Sequence, residues 1–183
     1  MPTRPGHPLV TSLTAVLGTL GARLLEVRGE AGHVEVTGLT ISSRRVLPGD
    51  LYAAPAGAHA HGATFAVQAV EAGAVAVLTD PAGGEMCASL DVPVVVVHRP
   101  REVLGMLAAQ VYGNPAEQLR LLAVTGTQGK TTTTRLAEGA LTTSGVPAAV
   151  VGTVGTRVNG MEVTSSLTTP EAPDLHALFA VMV

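Results

Sequence analysis

The 183-residue chain predicts an α/β protein in two parts: an α/β domain over residues 1–115 and the incomplete start of a P-loop domain over 116–183. Three observations carry this. Short β-branched runs alternate with stretches of helical spacing over the first hundred or so residues, the mark of an α/β sheet. Gly113-Asn114-Pro115 interrupts that alternation, and a fresh apolar run, Leu119 to Val124, follows it. This run passes through a glycine-bearing turn into a helix that opens on Lys130-Thr131.

At the start, Leu9, Leu13, Val16, Leu17, Leu20 and Leu24 repeat at spacings of 4, 3, 1, 3 and 4, one face of an amphipathic helix rather than a signal peptide. Leu24 to Val27 and His33 to Ile41 follow as strands, and the turn Pro48-Gly49-Asp50 leads into a strand from Leu51 to Ala54. Thr64 to Glu71 has helical spacing and stops at Gly73. Val75 to Thr79 and Val92 to Val97 are β-branched runs of strand length, and Pro100 opens a helix to Tyr112. After the interruption come a strand from Leu119 to Val124, a helix from Lys130 to about Thr143, and a second strand from Ala148 to Val154. That order is the first half of a βαβ unit. Val158-Asn159-Gly160-Met161 is a hairpin signal, and a helix is expected over Pro170 to Val183, starting at Pro170 or Pro173. Two strands and a hairpin are too few for a parallel-sheet domain, so the chain is expected to be part of a longer protein and inactive alone.

Composition narrows the function. Apolar residues make up 46% of the chain, enough for a substantial core. A formal charge of −3, with two Tyr, two Phe and no Trp, gives neither a polyanion footprint nor a stacking platform, so no nucleic-acid partner is expected. No apolar stretch approaches the roughly 18 residues of a spanning helix, so no membrane partner is expected either. The lone Cys87 excludes an intrachain disulfide, fits a reducing, cytoplasmic setting, and is expected to fill space in the core. Lys130 is the only lysine.

Its surroundings suit phosphate. Gly126 and Gly129 allow a tight turn and close approach to an anion, and the N–H groups at the helix start point at that anion with the helix dipole behind them. Lys130 would neutralise β and γ oxygens, and the Thr131 hydroxyl would ligate a bridging Mg²⁺. The full Walker pattern is not met, because Val124 stands where its first glycine belongs. A glycine-rich helix cap with a solvated lysine would need no nucleotide. A P-loop alone implies only a nucleoside triphosphate and Mg²⁺.

Thr125-Gly126-Thr127-Gln128-Gly129-Lys130-Thr131-Thr132-Thr133-Thr134 resembles the ATP loop of the Mur ligases, T-G-T-N-G-K-T-T-T, with Gln128 in place of the usual Asn. Ile41-Ser42-Ser43-Arg44 with Pro48-Gly49-Asp50-Leu51-Tyr52, then Gly57 to Phe65, then Leu167-Thr168-Thr169-Pro170 fall in that family's order. They resemble the branch that adds the third amino acid of the cell-wall peptide, the UDP-N-acetylmuramoyl-tripeptide synthetases. The resemblance implies a UDP-substrate-binding domain over 1–115 and the start of a Rossmann-like ATPase domain over 116–183. It implies ATP and Mg²⁺ as cofactors, with ATP held by Gly126, Thr127, Gln128, Gly129, Lys130, Thr131 and Thr132, Mg²⁺ by Thr131, and Lys130 catalytic. Ser43 would contact the uridine end of the substrate, and Thr168 and Thr169 the UDP-sugar dipeptide. Alternatively, Ser42 and Ser43 end a strand, and Thr168 or Thr169 caps a helix.

The implied reaction joins a diamino acid to UDP-N-acetylmuramoyl-L-alanyl-D-glutamate through an acyl phosphate, in a cytoplasmic enzyme that is a monomer at full length. The Arg-over-Lys, Ala-rich composition suggests a GC-rich genome, for which the resemblance implies meso-diaminopimelate rather than lysine as the added residue. Another Mur-type or folylpolyglutamate-type ligase, or a non-catalytic nucleotide-binding fragment, are the alternatives. Two positions depart from the family: Ser42 replaces the first Asp of D-S-R, and His61-Gly62 replaces a D-G pair. His59 and His61 share one side of an extended segment, but no third metal ligand lies near them in sequence.

Overall fold

The computed structural model describes residues 3–163 and 170–183. Two compact units result, His7–Asn114 and Met1–Gly6 with Pro115–Val183.

In the first unit the elements run β1 (Thr11–Ser12), α1 (Leu13–Gly18), β2 (Leu24–Arg28), β3 (Glu35–Val36), β4 (Gly38–Thr40), β5 (Asp50–Ala53), α2 (Ala66–Glu71), β6 (Ala76–Thr79), α3 (Pro81–Met86), β7 (Val94–Val97) and α4 (Pro100–Val111). The main sheet has the order β2-β7-β6-β5-β4, with β4 to β7 parallel and β2 antiparallel on β7. Leu39 is in register with Leu51, Leu51 with Ala76, and Leu78 with Val95. Every residue of β5, β6 and β7 is buried, the polar Asp50 and Thr79 at the ends of β5 and β6 included, as in a sheet covered on both faces. α4 buries Val103, Leu104, Leu107, Ala108 and Val111, and beyond its end the Tyr112 hydroxyl accepts from Leu39 N–H on the edge strand β4. Cys87 lies in this core beside Tyr52, Val77 and Val96.

Two expectations are corrected by this unit, and one of its helices was not expected. The opening helix spans only Leu13–Gly18: Leu9 stays 59% exposed, and the chain turns at Gly21, whose φ is +51°, before Leu24 opens β2. The run His33 to Ile41 splits at Thr37, whose N–H donates to Gly49 O rather than to a ladder partner. α3 has no counterpart in the sequence reading, since Gly83 and Gly84 depress helix propensity; Asp80-Pro81, an N-cap followed by proline at the first helical position, is the signal that marks it.

The second unit contains α5 (Lys130–Thr143), β8 (Ala149–Gly152), β9 (Gly155–Val158), β10 (Met161–Val163) and α6 (Ala172–Met182). The three strands form an antiparallel meander in the order β10-β9-β8. Asn159 and Gly160, with φ of +50° and +78°, make the two-residue turn between β9 and β10. Val158, Val163 and Leu178 form a small core with Met182 against it. Leu119 to Val124 is not a strand. Leu121, Leu122 and Val124 are 56%, 80% and 41% exposed, and the segment has no ladder partner among the described residues. The expected half βαβ unit is therefore absent. β8 pairs with β9 across a two-residue connection and is the edge of the meander, with no parallel partner on its other side among the described residues. No helix among the described residues is long and apolar enough to cross a membrane.

Candidate phosphate-binding site

The turn before α5 is built by its glycines. Gly126 has φ of +147° and Gly129 φ of +77°, and Gly129 is the left-handed N-cap of α5. A side chain at either position would be strained, so glycine is what lets the chain double back and enter the helix at once. The first helical hydrogen bond runs from Thr133 N–H to Gly129 O at 2.9 Å. The N–H groups of Lys130, Thr131 and Thr132 lie ahead of it, at the positive end of a 14-residue helix. Lys130 Nζ donates to Gly126 O and so closes the turn upon itself. The Thr134 hydroxyl bonds back to Lys130 O and Thr131 O, both at 3.1 Å, whereas Thr131 faces outward at the helix start.

Gly126, Thr127, Gln128, Gly129, Lys130, Thr131 and Thr132 thus form one continuous exposed surface. Beside it is a cavity of about 130 Å³ walled by Lys130, Thr131, Thr134 and Arg135 on α5 and by Val150 to Gly155 across from them. Arg135 was not foreseen as part of this wall. Its signal is the helical period, since Thr131, Thr134 and Arg135 at i, i+3 and i+4 share one face of α5. The donor set matches a polyanion: a lysine, a free helix start and a hydroxyl. Among the described residues no group of three or more His, Cys, Asp or Glu could hold a metal by itself, so a Mg²⁺ at this turn would be bound mainly by phosphate and water, with the exposed Thr131 hydroxyl available as a protein donor.

Ser43 lies in the other unit, on the turn Ser43–Arg45 just beyond β4. Its hydroxyl donates to Gln68 Oε1 of α2 at 3.4 Å. This turn, the loop after β5 and Asp80 after β6 all follow the carboxyl ends of parallel strands, where open α/β sheets bind ligands. Thr168 and Thr169 lie outside the described residues. His61 is engaged in structure: Nε2 is 3.1 Å from both Asp80 carboxylate oxygens, and Nδ1 accepts from Ala63 N–H at 3.0 Å. The second bond makes Nδ1 an acceptor and puts the ring proton on Nε2, facing Asp80. A metal at His61 would have to displace both contacts.

Comparison with known proteins agrees with this arrangement. The family description "Mur ligase family, catalytic domain" matches residues 35–112, and "Mur ligase middle domain" matches residues 124–183. The chain is 49% identical over 181 residues to a UDP-N-acetylmuramoyl-L-alanyl-D-glutamate--2,6-diaminopimelate ligase of Streptomyces avermitilis, covering 99% of this chain and 35% of that protein. It is 48% identical over 180 residues to the protein of the same name from Streptomyces coelicolor, covering 98% of this chain and 35% of that one. The chain therefore spans about a third of the length of these relatives. A solved structure of a UDP-N-acetylmuramoyl-L-alanyl-D-glutamate--2,6-diaminopimelate ligase shares the fold, with a TM-score of 0.67 at 23% identity over 94% of this chain and 33% of that one. Two family matches that between them take in both the sheet unit and the glycine turn, and near-half identity along almost every residue, place the chain in the Mur ligase family.

Proposed function

We propose that the protein acts as an ATP-dependent amide ligase that joins meso-diaminopimelate to UDP-N-acetylmuramoyl-L-alanyl-D-glutamate in the cytoplasm. The observation that carries this reading is the turn Gly126–Gly129 capping α5 in the left-handed conformation, with Lys130 and Thr131 at the helix start, in a chain of this family. The names of the Streptomyces relatives supply the substrate pair.

A carboxylate and an amine do not condense in water, because the oxygen would have to leave as hydroxide. In the proposed reaction a carboxylate oxygen of the D-Glu residue attacks the γ-phosphorus of ATP, the bond to the β–γ bridging oxygen breaks, and ADP departs. The amine of the diamino acid then adds to the acyl phosphate carbonyl, phosphate leaves, and the nitrogen loses a proton. The protein contributes placement and charge neutralisation. Lys130 and the helix-start N–H groups hold the triphosphate and offset the charge on the transferring group. Mg²⁺, with Thr131 as its protein donor, would supply further neutralisation. Residues 1–115 bind the UDP end, with Ser43 near uridine, and 116–183 begin the ATP-binding domain; Thr168 and Thr169 hold the sugar-dipeptide.

In the intact gene product, Lys130→Ala is expected to lower kcat/KM for ligation by about 10² to 10³, as loss of a preorganised electrostatic group does. Undiminished ADP release coupled to tripeptide formation would refute the assignment. Selective binding of the UDP-muramoyl tripeptide over the dipeptide would move the protein to the next step of the same chemistry.

A further inference from the structure

Glu138 lies two turns beyond Lys130 on α5, about 12 Å along the helix axis. Only 4% of its side chain is exposed. Its Oε2 is 3.4 Å from Arg157 Nη1 on β9, and Arg157 Nη2 donates to Gly160 O in the β9–β10 turn at 3.0 Å. Glu138 Oε1 and Arg157 Nε are buried and have no hydrogen-bond partner among the described residues.

As a source of stability this is a poor arrangement. Taking the Glu138 carboxylate out of water beside a half-buried Arg157, 34% exposed, offsets much of their attraction unless the buried donors and acceptors are satisfied, and Glu138 Oε1 and Arg157 Nε are not. The pair does supply direction. A guanidinium anchored to the hairpin turn and a carboxylate on α5 permit one rotation of the helix against β9, which an apolar contact would leave loose. The first turn of that same helix carries Lys130 and Thr131. We infer that Glu138 and Arg157 are positioning residues for the nucleotide, fixing α5 against β9 so that Lys130 and the helix start meet the phosphates in one geometry. This rests on the ATP reading above.

The test measures ATP affinity by calorimetry, and KM and kcat for ligation, in the intact gene product carrying Glu138→Gln, Arg157→Lys or Lys130→Ala. Thermal melts identify temperatures at which each variant is fully folded. Glu138→Gln is expected to raise the Kd and KM for ATP about fivefold or more, the size of a typical coupling between sites. Arg157→Lys, which keeps the charge and loses the forked contact, should fall between it and the wild type. Should Glu138→Gln fail to fold, Arg157→Lys alone decides. A lowered melting temperature with unchanged ATP affinity in the folded variants would overturn the positioning role. Lys130→Ala separates the two ideas: if it loses ATP while Glu138→Gln keeps it, only the positioning role falls, and if it keeps ATP, the nucleotide reading falls.

Discussion

At the scale of single residues, the loop after β5 is held by what cannot be added to it. A Cβ on Gly62 would come within 2.7 Å of Ala54 Cα and 2.9 Å of Pro55 O, backbone atoms that have little room to yield. Gly62 N–H donates to Pro55 O, and Gly62 O accepts from the buried Tyr52 hydroxyl. Gly62→Ala is accordingly expected to destabilise the protein by about 1 to 3 kcal/mol, as overpacking does, and denaturant titration would register it as a lower midpoint at constant slope. His61 and Asp80 lock the same corner from the side, and Gly83 has room only for hydrogen, because a Cβ there would meet Thr79 Oγ1 and His61 Cε1. The His61-Gly62 pair, which the sequence presents as a departure from its family, thus has a structural role that spacing alone does not reveal. Burial also pushes the Cys87 thiol up, in keeping with a core side chain rather than a nucleophile.

At the scale of elements, α6 carries a titratable group in a poor place for charge. His176 Nδ1 is buried without a partner among the described residues, its ring stacks edge-on against Phe179, and burial lowers its pKa below the ordinary value. In the window just below pH 6.5 the unfolded chain therefore binds more protons at this position than the folded one, and stability falls as the solution is acidified through it. Melting temperatures at pH 7.5 and 5.5 should differ less in His176→Leu than in the wild type. Elements that declare themselves by local chemistry were legible in the sequence. Lysine and threonine after a glycine marked the start of α5, Asn159-Gly160 marked its hairpin, and the unbroken apolar runs marked β6 and β7. Elements that depend on partners were not. Leu119 to Val124 has the composition of a buried strand, yet without a neighbouring strand it remains irregular and exposed. The amphipathic period of the first helix ran past its physical end because Leu20, fully buried, serves the core from the turn beyond it as well as it would from a helix, and the half-buried Leu24 keeps the spacing although it opens a strand. At the candidate phosphate site the contiguous residues 126–132 stand together in the sequence, while Arg135 beside them, and the pairing of Glu138 with Arg157 further along α5, depend on folding.

At the scale of the whole molecule, the two units are built on different terms. The first buries apolar side chains on both faces of a five-stranded sheet; the second has a small core and keeps Leu122, Leu136 and Val154 at 80%, 70% and 66% exposure. What the second unit holds is a well-defined helix start. That start also carries the chain's only side-chain amine, in the open and bonded to a carbonyl four residues back. Reagents that acylate amines, or form imines that borohydride can trap, would therefore find one internal address in 183 residues. Peptide mapping of the intact gene product is expected to place the adduct within these 183 residues at Lys130 and to show it fading as ATP is added, whereas labelling of Lys130 indifferent to ATP would contradict the nucleotide assignment. With arginine at every other basic position of these 183 residues, the one lysine is a built-in reporter on the candidate phosphate site.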